Sequence, residues 1–167
     1  MERKTKEFSL TKTLDAPIEK VWDAWTKVEQ LNKWFGPKGF PVTESRMNFK
    51  VGGQYHYGMK MPHGEIMWGR WIFLKIEKPN LIEWEHHFSD AEGKAITRHP
   101  FSTTWPLEMR TTIEFEDLKG KTNLTIKLIA YNTTDVERET FEGGFAGMNQ
   151  GWGGTLDQLC EFLGEPK

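Results

Sequence analysis

Residues 7–14, EFSLTKTL, alternate in polarity: Phe8, Leu10 and Leu14 share one face, and Lys12 interrupts it. A period of two predicts a strand. The period then changes. In DAPIEKVWDAWTKV, Pro17 suits a first helical position, and Ile18, Val21, Trp22 and Trp25 form one apolar stripe. A second short helix is predicted over 28–34, ended by the turn at Gly36-Pro37. In LNKWFGPKGF (31–40), Trp34 and Phe35 stand side by side before that turn, and neighbours in such a place diverge. One is expected to plug the core and the other to face a cavity mouth.

From residue 40 the period is two again. Tyr55, Tyr57, Met59 and Met61 fall on one face, and His56 on the other. Gly52-Gly53 reads as a tight hairpin turn. Residues 65–77 predict a long strand with apolar residues on both faces, so its inward side stays open. After the turn at Pro79-Asn80, Ile82, Trp84, His86 and Phe88 line up on one side of 81–88. Residues 89–104 read as a long polar loop. Residues 107–116 place Leu107, Met109, Thr111, Ile113 and Phe115 inward. Lys119-Gly120 closes a hairpin, and Leu124, Ile126, Leu128 and Ala130 face in together.

The last third is helical. Phe145, Met148, Trp152, Leu156, Leu159, Cys160 and Leu163 recur at three and four, and Gly164 suits a helix stop. Gly151, Gly153 and Gly154 each cost about 1 kcal/mol relative to alanine there. They imply backbone held close to a sheet or a ligand. The order is strand, two short helices, about six strands and one long helix. A sheet with one dry face needs a cover, and the C-terminal helix is the element long enough to supply it.

Length and composition narrow the class. The chain has 167 residues, a net charge of −2 and one cysteine. One domain over 1–167 is expected, with a core that needs no disulfide. Cys160 reads as a core residue in a reducing compartment. Nowhere do basic residues cluster as nucleic-acid binding requires. The start, MERKTKEFSL, lacks the apolar stretch of a signal peptide, and no run is long enough to span a membrane. A cytoplasmic protein is the expectation. Eight Trp, eleven Phe and seven Met sit in a chain only 37% hydrophobic. Large flat side chains fill a core less easily than Leu and Val, which hints at a void.

Several stretches recur in an order that identifies a family. APIEKVWDAWT (16–26), WFGPKGF (34–40), Gly52-Gly53, Gly69, KTNLT (121–125) and GWGGTLDQL (151–159) resemble the SRPBCC superfamily. Its fold is also called START-like, birch-pollen-allergen-like or helix-grip. Within it the chain is most similar to the family named for the activator of the heat-shock-protein-90 ATPase, through that protein's C-terminal domain. The resemblance implies an α+β helix-grip fold: a curved antiparallel sheet of about six to seven strands wrapped around a long C-terminal helix, with two short helices after the first strand. It also implies an apolar cavity between sheet and helix.

The expected site follows from that cavity. Tyr55, Tyr57, Met59, Trp84, Met109, Phe145, Met148 and Trp152 would supply apolar walls, and His86 and Thr111 would orient a polar end. A few polar groups in an aromatic hollow suit a small-molecule site. No metal site is expected: His86 and His87 point to opposite faces, His56 faces outward, His63 and His99 lie in loops, and no HExxH exists. No GxSxG nucleophile motif, cofactor motif or catalytic set stands out. The expected function is binding of a small hydrophobic or aromatic ligand. The alternatives are a protein–protein module related to chaperone-ATPase activators, although a second domain is missing, and an enzyme using His86 on a hydrophobic substrate. The partner classes left open are a small hydrophobic molecule, a chaperone, and a second copy of the chain in a homodimer.

Overall fold

The computed structural model describes residues 4–164. The first three residues of the leader reading, and three residues at each end of the 1–167 domain range, lie outside them. In chain order the elements are β1 (Phe8–Leu14), α1 (Ile18–Thr26), α2 (Val28–Trp34), β2 (Val42–Met47), β3 (Gln54–Lys60), β4 (Ile66–Glu77), β5 (Leu81–Ser89), β6 (Ile96–Thr97), β7 (Glu108–Asp117), β8 (Thr122–Tyr131), α3 (Asp135–Gly143) and α4 (Phe145–Gly164).

The strands form one antiparallel sheet in the order β1-β8-β7-β5-β4-β3-β2, with the short β6 paired to β5 off that path. β1 and β2 lie at opposite edges, so the curved sheet stays unclosed. The fold is α+β with a helix-grip arrangement. Sequential hairpins account for most pairings, because antiparallel neighbours need only short turns. The β7–β8 turn carries Lys119 and Gly120 at positive φ, and Gly52 turns β2 into β3.

The inner face follows the period of two. Tyr55, Tyr57 and Met59 on β3, Ile82 and Trp84 on β5, Met109, Thr111, Ile113 and Phe115 on β7, and Leu124, Ile126, Leu128 and Ala130 on β8 are all buried. The open question of β4 resolves as Trp71 and Phe73 inward, in line with Gly69. Trp71 stacks on Trp84 with ring centroids 3.9 Å apart. α4 crosses this face with Leu156, Leu159 and Leu163 buried against it. Lys12, the odd residue of β1, reaches Asp157 of α4 at 2.9 Å. Lys20 of α1 donates to the Leu163 carbonyl at 2.6 Å, satisfying an orphan acceptor at the helix end.

Three expectations change. The helical last third is two helices, not one. Thr134 and Glu137 form a reciprocal capping box that starts α3, and the chain restarts as α4 after Gly144. The 89–104 loop contains β6, two residues long, which pairs with Phe88 and Ser89. His56 does lie on the outer face of the sheet, but it is buried there. The segment after β5 folds over it: His56 Nε2 bonds the Asp90 carbonyl at 3.1 Å, and its ring stacks on Trp68 at 5.1 Å. Arg70, beside it, donates to the Gly93 carbonyl at 2.9 Å. Both faces of β4 are therefore covered, which explains why its sequence is apolar on both.

Candidate functional site

Between α4, the corner after α2 and strands β3 to β5 lies a partly open cavity of about 190 Å³ with an overwhelmingly apolar lining. Each wall has a local cause.

The corner supplies Phe35, Gly36 and Pro37. Trp34 and Phe35 diverge as expected. Trp34 goes into the core, where its indole Nε1 donates to the Ala24 carbonyl at 3.0 Å and its ring meets Trp25 edge-on at 4.7 Å. Phe35 faces the cavity and packs edge-on against Trp71 and Tyr57, at 4.9 and 5.3 Å. Gly36 holds φ at +101°, a region that side chains disfavour, and an added Cβ would meet the Phe40 carbonyl at 2.8 Å. Gln158 of α4 ties the corner down by donating to the carbonyls of Trp34 and Gly36.

The sheet supplies the floor: Tyr57 and Met59 from β3, Met67 and Gly69 from β4, His86 and Phe88 from β5. The register aligns Tyr57 with Gly69 and Gly69 with Phe88 across the three strands. With no side chain at Gly69, Tyr57 lies across β4, and a Cβ at Gly69 would stand 2.6 Å from the Tyr57 hydroxyl. That hydroxyl reaches His86 Nε2 on β5 at 3.0 Å. The helix supplies Met148, Gly151, Trp152 and Thr155. The Thr155 hydroxyl donates to the Gly151 carbonyl at 3.0 Å, so its proton is committed within the helix.

The polar pair is uncharged near neutral pH. Burial, and secondarily the neighbouring His87, lowers the pKa of His86 to about 4. Burial likewise raises that of Tyr57 well above its ordinary value. A neutral hydroxyl and a neutral imidazole share this one hydrogen bond, and the ring tautomer sets which of them donates. Among the described residues, His86 Nδ1, the indole nitrogens of Trp71 and Trp84 and the hydroxyl of Thr111 are buried with no partner at good hydrogen-bond geometry, although the Trp71 indole lies toward the Tyr57 hydroxyl. These four groups occupy adjoining register positions, since Trp71 faces His86 and Trp84 faces Thr111. Of the four, His86 is the one that also lines the cavity.

The ten residues expected from sequence divide evenly. Tyr57, Met59, His86, Met148 and Trp152 line the cavity. Tyr55, Trp84, Met109, Thr111 and Phe145 are placed outside its lining. Tyr55 is fully buried and donates its hydroxyl to Asn32 at 2.7 Å. Trp84 is sandwiched against Trp71, and Met109 and Thr111 are core residues of β7. Phe145 packs with Phe8 and Phe141 at the start of α4, at 5.7 and 5.6 Å. Facing inward is not the same as facing a hollow, because the hollow covers only part of the dry face. The lining residues outside that set, besides Phe35, are Gly36, Pro37, Met67, Trp68, Gly69, Phe88, Gly151 and Thr155. Met67 and Phe88 had a signal, since they extend the inward rows of β4 and β5. The glycines contribute by having no side chain, which an apolar pattern does not register.

The sheet half of the glycine expectation for α4 is overturned: a Cβ added at Gly151, Gly153 or Gly154 would meet no atom within 4 Å, so close packing on the sheet is not why they are there. Of the three, Gly151 lines the cavity. Among the described residues, no group of three or more His, Cys, Asp and Glu is placed to hold a metal ion. No described helix is long and apolar enough to cross a membrane.

The model of the family described as Activator of Hsp90 ATPase homolog 1-like protein matches residues 15–164. This chain belongs to that family. The Activator of Hsp90 ATPase homolog 1-like match takes in the corner, the floor and the helix of the cavity. Solved structures agree. A protein from Staphylococcus epidermidis is 31% identical, with 96% of this chain and 91% of that one covered and a TM-score of 0.73. A protein from Arthrobacter aurescens is 29% identical over 96% of this chain and 87% of that one, with a TM-score of 0.79. One from Nitrosomonas europaea is 25% identical, covering 94% and 93%, with a TM-score of 0.71. A search of the curated proteins found no match. Helix-grip proteins of the SRPBCC type commonly bind hydrophobic ligands.

Proposed function

We propose that this protein binds a small hydrophobic or aromatic molecule in the cavity between the sheet and α4, without catalysing a reaction on it. The observation that carries this reading is the cavity itself: about 190 Å³ walled by Phe35, Tyr57, Met59, Phe88, Met148 and Trp152. Apolar burial drives such binding at about 25 cal/mol per Å², before ordering costs. Rigid aromatic walls keep those costs low, because the site is formed before the ligand arrives. The Tyr57–His86 pair supplies a polar feature on one side, and polar groups few in number fix a ligand's orientation.

Tryptophan fluorescence and thermal shift test the reading directly, since Trp152 lines the site. A panel of one- and two-ring aromatic compounds should include members that change Trp emission and raise the melting temperature in a saturable way. A panel in which no compound does either would refute it. Catalysis is tested separately by His86→Gln, which keeps the size and removes titration. Binding should survive that change with altered strength.

A further inference from the structure

The cavity's lining carries more information than its volume. Its fourteen residues include no Asp, Glu, Lys or Arg. The only basic side chain is His86, whose Nε2 is already engaged by the Tyr57 hydroxyl. A charged ligand group moved from water into such surroundings loses its hydration and finds no counter-ion, which is strongly unfavourable. An enclosed apolar hollow of about 150 Å³ takes a benzene molecule. The present cavity is somewhat larger, at about 190 Å³, and partly open.

On the helix side of that hollow one of the four lining residues has no side chain. Met148, Gly151 and Thr155 recur at three and four along α4, so they share the face that lines the cavity. Glycine is the poorest helix former after proline. Nothing near Gly151 requires it: a Cβ there meets no atom within 4 Å, and its φ is not positive. What glycine leaves at this position is open space, and that space adjoins the cavity. Gly153 is equally unhindered but does not line it, so the two glycines form a natural control.

We propose that the site selects uncharged ligands of about one or two rings, and that Gly151 is the residue that sets the size limit. This rests on the ligand-binding reading above. It goes further in naming the ligand's charge and the specificity-determining position. Long-chain acids, whose carboxylate needs a cation, fall outside the class.

The test uses two probes with the same rings and different charge, 2-naphthalenemethanol and 2-naphthoate, titrated at pH 7 into the full chain. Binding is followed by Trp emission and by calorimetry. The alcohol should bind at least about tenfold more tightly than the carboxylate. Gly151→Leu should weaken the alcohol by at least about tenfold with an unchanged or higher melting temperature, while Gly153→Leu should stay within about twofold. Gly151→Ala, a smaller change, should weaken it severalfold and guards against a folding defect in the leucine variant. Equal binding of the two probes to the unaltered protein would overturn the charge claim. Unchanged binding by both folded Gly151 variants would overturn the size claim. Either result leaves ligand binding itself standing, whereas failure of both probes to bind the unaltered protein would remove that reading and this one together.

Discussion

The Tyr57 hydroxyl occupies the space a Cβ at Gly69 would need, only 2.6 Å away. The tyrosine can cross β4 to reach His86 on β5 because its neighbour in the register has no side chain. Gly69→Ala should therefore destabilise the protein, by roughly 1–3 kcal/mol for an overpacked site. This reverses the usual gain from replacing a strand glycine. Chemical denaturation measures it, and equal or greater stability in the alanine variant would show that the crossing is not tight.

The glycines of α4 predict the opposite sign. A methyl group at Gly153 or Gly154 meets open space, and alanine is better than glycine in a helix by about 1 kcal/mol. Gly153→Ala and Gly154→Ala should each raise the melting temperature by a few degrees, read by differential scanning calorimetry. A drop would mean that the backbone there is not helical in solution.

Acid should weaken the fold through His86. Its pKa is about 4 when folded and, as for an ordinary histidine, about 6.5 when unfolded. Between those values the unfolded chain binds the proton more readily, so stability is full above about pH 6.5 and declines as pH falls toward 4. The span corresponds to a loss of up to about 3 kcal/mol. His87 and His99 shift the same way, mainly through burial, so the comparison needed is between the parent and His86→Gln. The pH dependence from 6.5 to 4 should be shallower in the variant. Parallel curves would place the proton-linked loss elsewhere.

The start of α3 depends on Thr134. Its side chain accepts from the Glu137 backbone N–H at 3.1 Å, and the Glu137 carboxylate returns a bond to the Thr134 N–H at 3.0 Å. Glu137 also pairs with Arg98 at 2.6 Å, so the cap anchors the chain before β7. Thr134→Ala should cost about 1 kcal/mol. It should also speed amide exchange around residues 98–105, because Thr104 bonds Thr140 on the same helix. Exchange confined to α3 would disconnect the two.

The sequence made the repeating features of this molecule legible. Tyr55, Tyr57 and Met59, or Leu124, Ile126 and Leu128, announce an inward row because a strand's period forces it. Motif order placed the helices and the grip. The rest depended on distant chain. β4 could not be oriented, since the segment at 90–95 covers its outer face, and residues far along the chain decided that. The pattern puts His56 on the correct side but does not show its burial, for the same reason. The division of labour between Trp34 and Phe35 was anticipated in kind, while which ring took which role required the Ala24 carbonyl and the Trp71 ring. Within the site, side chains with bulk could be proposed from their faces. The residues that make room, Gly69 and Gly151, leave no apolar signature.

The cover laid over His56 and Arg70 gives the two walls of the hollow unequal backing. Strands β3 to β5 are braced from behind by that segment and bonded to each other along their length. The opposite wall is a helix whose first half is rich in unbranched backbone and has free volume around it. A guest of the proposed kind would therefore meet a doubly covered sheet on one side and a glycine-rich helix on the other.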